Sequence, residues 1–183
     1  MALPDVLLLY AQIIADQIIN ECDLEPPIDE TKFRLLRYHG HAIPEDIQCT
    51  PDGILSVWWE NITPKAGNTP CPVFPVATLN AKYVTCWKQA DVNGKSITVH
   101  YDQNDADAER LAWIAECVTR RLLTLVCSEA GQIDPDEWPL DYEFLMMANK
   151  PSFLGATPTG AQGGAAGITW RIQVGLLDRV PPS

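Results

Sequence analysis

The chain has 183 residues, 46% of them hydrophobic, and a formal net charge of −11. That is enough apolar material for one core, so a single domain over residues 1–183 is expected, and too much for intrinsic disorder. The acid excess excludes nucleic-acid binding by phosphate neutralisation, which needs clustered Lys and Arg.

The N-terminus, MALPDVLLLYAQIIADQII, has no basic n-region, carries Asp5 before its apolar run and is interrupted by Gln12 and Asp16. It does not read as a signal peptide, and no stretch reaches the roughly 18 apolar residues of a membrane span. Leu7, Tyr10, Ala11, Ile14 and Ile18 fall at helical spacing, and Val6, Leu9 and Ile13 widen the stripe. A first helix is expected there, ending before Pro26-Pro27. Residues 33–38 and 54–59 read as strands. Residues 62–76 contain Pro64, Pro70, Pro72 and Pro75, which cannot donate to a sheet ladder, so this stretch is expected to be an extended loop or an edge. Residues 83–92 and 95–101 are extended runs joined by Asn93-Gly94, the dipeptide a tight hairpin turn favours.

Residues 104–127 read as a second, longer helix. Asp105, Asp107 and Glu109 crowd its start, Arg120 and Arg121 lie near its end, and Leu111, Ile114, Ala115, Val118, Leu122 and Leu125 form its inward face. A loop is expected at 131–140 and a short helix or strand at 141–149. Residues 155–167, almost all Gly, Ala, Thr, Pro and Gln, read as a third extended loop. It leads into 168–177, where Ile168, Trp170, Ile172, Val174 and Leu176 alternate with Thr169, Arg171, Gln173, Gly175 and Leu177. That alternation describes a half-buried antiparallel strand. The order implies an α+β fold: an antiparallel or mixed sheet with two main helices on one face. Cys22, Cys49, Cys71, Cys86, Cys117 and Cys127 are too few for a disulfide scaffold and form no CxxC pair. They read as reduced, mostly buried thiols of a cytosolic product.

Motifs that carry chemistry are nearly absent. Gly94-Lys95-Ser96 resembles the end of a P-loop, but Gln89 stands where the first glycine is needed and a strand follows instead of a helix. The glycines at 155, 160, 163, 164 and 167 match neither a Walker motif nor GxGxxG. His39, His41 and Cys49 lack a fourth ligand at any familiar zinc spacing. Asp134, Asp136 and Glu137 lack the calcium-loop pattern. No HExxH or GxSxG occurs. The expectation is a non-enzyme with no cofactor, no metal site and no catalytic residue.

The stretch TPTGAQGGAAG running into ITWRIQVGL resembles the C-terminus of tail terminator proteins of long-tailed phages of actinobacteria. The N-terminal amphipathic helix, the segment VATLNAKYVTCWK and the helix DADAERLAWIAECVTRRLL are similar in order. The resemblance implies a small α+β subunit that assembles, as a hexameric ring, on the last ring of the tail tube. Such a ring stops tube polymerisation and offers a docking surface to the head connector or stopper protein. It would reside in the virion neck after assembly in the host cytoplasm, without a membrane, and let DNA pass its lumen without specific binding. Segments 63–75 and 134–151 exceed the leanest members of the family. Expected contact residues are Gly155, Thr157, Thr159, Gln162, Gly163 and Gly164, in a loop ordered by a neighbouring subunit, together with Arg171 and Gln173. A solvated strand face fits the last two equally well. The alternatives are another neck component, such as a head-completion or stopper protein, and a small ligand-binding domain or enzyme.

Overall fold

The computed structural model describes residues 3–38, 52–65, 74–86, 89–92, 95–98, 101–127, 152–162 and 165–175. Helix α1 (Leu3–Asp16) runs into a π-helical turn, Gln17–Glu21, which stops at Asp23, a residue with φ of 47°. Strands β1 (Arg34–Tyr38), β2 (Ile54–Lys65) and β3 (Phe74–Cys86) follow, then the short pair β4 (Gln89–Val92) and β5 (Lys95–Thr98). Helix α2 (Tyr101–Cys127) leads, past undescribed residues, to β6 (Ser152–Gln162) and β7 (Ala165–Gly175).

Five strands form one sheet in the order β1-β2-β3-β7-β6, with β1 parallel to β2 and every other junction antiparallel. The fold is therefore α+β with a mixed sheet. Cross-strand partners share a face, and the register assembles an apolar one: Leu55 opposite Tyr83, Val57 opposite Ala81, Ala81 opposite Trp170, Leu79 opposite Ile172 and Ala77 opposite Val174. These residues are buried in one cluster with Val6, Leu7, Leu9, Tyr10, Ile14 and Ile18 from the N-terminal helix and Ile114, Val118 and Leu122 from α2. Both helices thus cover the same face, as periodicity predicts. The Trp170 indole, fully buried, donates to the Thr119 hydroxyl at 3.2 Å and so fastens β7 to α2.

The loop expected at 155–167 is instead strand at 155–162 and again at 165–167. Its own chain orders it, through the ladder with β7. The physical reason is the edge of β7 beyond β3, whose backbone groups need partners. Phe153, Ala156 and Pro158 lie opposite Ile172, Trp170 and Ile168, and Phe153 packs against the core cluster. The proline run is corrected in part: Pro64 and Pro75 are paired with each other in the β2–β3 ladder. The register places them beyond the last residues of β2 and β3 that pair with β1 and β7, so neither strand loses an interior bond. The β4–β5 pairing of Val92 with Lys95 leaves the two-residue connection that Asn93-Gly94 predicts. Leu125, the zinc and calcium candidates, and segments 131–140 and 141–149 fall on residues or side chains outside those described.

The cysteine reading also changes. Cys22 and Cys117, 95 residues apart in sequence, form a disulfide with Cα atoms 5.8 Å apart. Sequence spacing cannot reveal this pair; the fold creates it by laying the end of the π-turn along α2.

Candidate interaction surface

The sheet face away from the helices collects the polar half of each alternating strand. Arg171 lies between Asn80 of β3 and Gly155 of β6; Gln173 lies between Thr78 and Ser152; Thr169 lies between Lys82 and Thr157; Gly167 lies opposite Thr159. Five contact residues expected from sequence, Gly155, Thr157, Thr159, Arg171 and Gln173, therefore share one face of the β3–β7–β6 region. Gln162 pairs with Ala165 at the tip of the hairpin, while Gly163 and Gly164 lie outside the described residues.

Two irregularities shape this surface. A register shift between Trp59 and Asn61 makes Glu60 an extra residue in β2, and a bulge of this kind re-aims a side chain. The Glu60 carboxylate consequently reaches across β3, accepting from the Asn80 amide at 3.2 Å and from the Arg171 guanidinium at 2.7 Å. The Asn80 hydrogen bond above all, helped by the Arg171 hydrogen bond and charge, holds the Glu60 carboxyl below the usual glutamate range against the opposing effect of burial. The second shift, between Phe153 and Gly155, leaves Leu154 pointing out with 49% exposure and Gly155 at φ of 132°, which favours glycine. The Glu60–Asn80–Arg171 bridge was not evident from sequence, because it depends on one extra residue in β2.

Burial falls across this face. Ser56, Thr78 and Asn80 are buried, whereas Thr157 and Arg171 are exposed. The outward strand β6 contains no charged residue among its eleven, although exposed edges are ordinarily blunted by Lys or other charges. A separate groove of about 390 Å³ runs between the π-turn and α2, lined by Gln17, Glu21, Cys117 and Arg121 among others. Among the described residues no group of three His, Cys, Asp or Glu is placed to hold a metal ion, and no helix is long and apolar enough to cross a membrane. No protein-family model matches the chain, and a search of the curated proteins finds none similar to it.

Proposed function

We propose that the chain is a structural subunit of a phage neck: a tail terminator that assembles as a hexameric ring, caps the tail tube, ends its polymerisation and receives the head connector. It carries no catalysis and needs no cofactor on this reading. The observation that supports it most directly is where the family-like segment lies. The stretch that resembles the terminator C-terminus folds as the β6–β7 hairpin at one end of the sheet, with an uncharged strand outermost.

Strand direction is compatible with a ring. In the order β1-β2-β3-β7-β6, β6 runs antiparallel to β1 at the opposite end. A sheet continued from β6 of one copy to β1 of the next keeps an antiparallel junction, and repeated head-to-tail contact closes rings when the rotation allows. The uninterrupted stretch of β6 between its two register shifts, 155–159, is as long as β1. The acidic balance suits a lumen past which DNA slides. Another neck component remains the second reading, and it differs by binding the portal side in place of the tube.

Sedimentation of the purified chain, alone and with tail tube protein, tests this. Hexamer-sized rings that cap tubes are expected. A strict monomer indifferent to tubes overturns the reading, and rings that bind only portal-side proteins favour the other neck component.

A further inference from the structure

The segment connecting the π-turn to β1 is tied to α2 at three successive points. The Cys117 sulfur is bonded to Cys22, the Trp113 indole donates to the Cys22 carbonyl at 2.6 Å, and the Arg110 guanidinium donates to the Pro26 carbonyl at 2.5 Å. Residues 110, 113 and 117 are one helical turn apart and line one stripe of α2. Two of these ties are hydrogen bonds that re-form freely; the third is covalent and answers to redox state.

The two sulfurs are not equally approachable. Both cysteines line the 390 Å³ groove, but Cys22 is 2% exposed whereas Cys117 is only half-buried. The Gln17 side-chain amide donates to the Cys117 sulfur at 3.3 Å, and a donor on sulfur favours its thiolate over its thiol. We infer that Cys22–Cys117 is a thiol-exchange site, entered from the groove at Cys117, and that it acts as a redox latch holding segment 22–26 against α2. The inference does not depend on the neck function proposed above.

The exchange balances with a dithiol as co-reactant. One thiolate of the dithiol attacks the Cys117 sulfur, the Cys22–Cys117 bond breaks, and the Cys22 sulfur leaves and takes up a proton. The second thiol loses its proton to solvent and attacks the mixed disulfide, releasing Cys117 as a thiolate that the Gln17 amide receives and that then takes up a proton in turn. The dithiol ends as a cyclic disulfide, oxidised by two electrons, and the protein holds two thiols. Segment 22–26 then keeps its Trp113 and Arg110 hydrogen bonds and the packing of Leu24 on the core, without a covalent tie.

The test uses the full chain purified without reductant. Non-reducing digestion followed by mass spectrometry is expected to show the Cys22 and Cys117 peptides joined; free thiols at both positions in the air-oxidised protein overturn the inference. Dithiothreitol added to the native protein is then expected to separate them, with far-UV circular dichroism unchanged and amide exchange of 17–26 about tenfold faster. A disulfide that yields only after denaturant is added shows a buried staple and overturns the exchange site. Reduction that leaves exchange of 17–26 unaltered overturns the latch. The variant carrying both Cys22→Ala and Cys117→Ala is expected to match the reduced protein in exchange; because reduction is also followed on the wild type, a misfolded variant does not remove the test.

Discussion

At the scale of single residues, the tightest local constraint is the meeting of Gly53 and Tyr83 at the start of β2. Gly53 has φ of 87°, and a Cβ at that position would overlap the Tyr83 ring. The ring lies over the glycine, stacks at 6.4 Å on Phe33 and donates its hydroxyl to the Asp52 carbonyl at 3.2 Å. Gly53→Ala therefore meets both a strained backbone and an occupied space. A loss of about 2–4 kcal/mol is expected in denaturant unfolding, because either penalty alone costs about 1–3 kcal/mol. The same burial acts on the phenol. Desolvation is the main cause that pushes the Tyr83 hydroxyl up to about 12 from its ordinary 10. A group whose folded value is raised stabilises fully below its unfolded value and loses that contribution as pH rises. Stability should accordingly decline between about pH 10 and 12, with Tyr83 ionising late in the ultraviolet titration. Ionisation of all tyrosines near pH 10 without loss of fold would contradict the packing described.

At the scale of elements, the Glu60 bulge makes a different kind of contribution. The Glu60 and Arg171 side chains are 43% and 47% exposed, so water screens their attraction, and such pairs contribute about 0.2–1 kcal/mol. Glu60→Gln is expected to cost no more than that, with the difference shrinking as salt is added. The folded carboxyl is held below 4.5, so the stabilisation is present above the ordinary glutamate value and is lost as pH falls through the lowered one. A pH-independent gap between the two proteins from pH 7 to 2 would show that the bridge does not form. The elements themselves divide by how far their pattern is local. Both helices and the 168–175 strand were legible because their periodicity is a property of neighbouring residues. The strand at 155–162 was not, since Gly, Ala and Pro, which surround its two threonines, have little intrinsic preference for it and the strand exists through its ladder with β7. The α2 helix also begins at Tyr101, earlier than its acidic stretch suggests, and extends to Cys127. Arg120 and Arg121 consequently lie before its last turn and add little to the dipole, whose influence is confined to that turn. Arg120 pairs with Glu116 instead. The shared polar face of Gly155, Thr157, Thr159, Arg171 and Gln173 was anticipated as a set of residues but not as a surface, because register lies beyond what alternation in one strand reveals.

At the scale of the whole molecule, two features decide how the chain behaves as one body and as many. The disulfide closes a loop of about the 95 residues that separate Cys22 from Cys117, for which the chain-entropy account gives about 4–5 kcal/mol and measured losses run about 2–5 kcal/mol. The double Cys22→Ala, Cys117→Ala variant should therefore melt about 5–15 °C lower by calorimetry, each kcal/mol being worth about 2–4 °C in a chain of this size. A melting point unchanged by the substitution would mean that the bridge does not form in the purified protein, or that it strains the native state by as much as it restricts the unfolded chain. The proposed assembly would use a different part of the molecule. Thr157 is exposed on β6, on the polar face, and its cross-strand partner is Thr169. Placing a charge there, as Thr157→Lys, removes no apolar contact with the core, so monomer stability should change by less than about 0.5 kcal/mol. A lysine on an edge strand is nonetheless the ordinary device by which proteins prevent strand-to-strand pairing. If neighbouring copies join through β6, the variant should sediment as a monomer under conditions in which the wild type forms rings, with an unchanged circular dichroism spectrum. Rings of undiminished stability in the Thr157→Lys protein would remove β6 from the interface and leave the proposed function to rest on some other surface of the subunit.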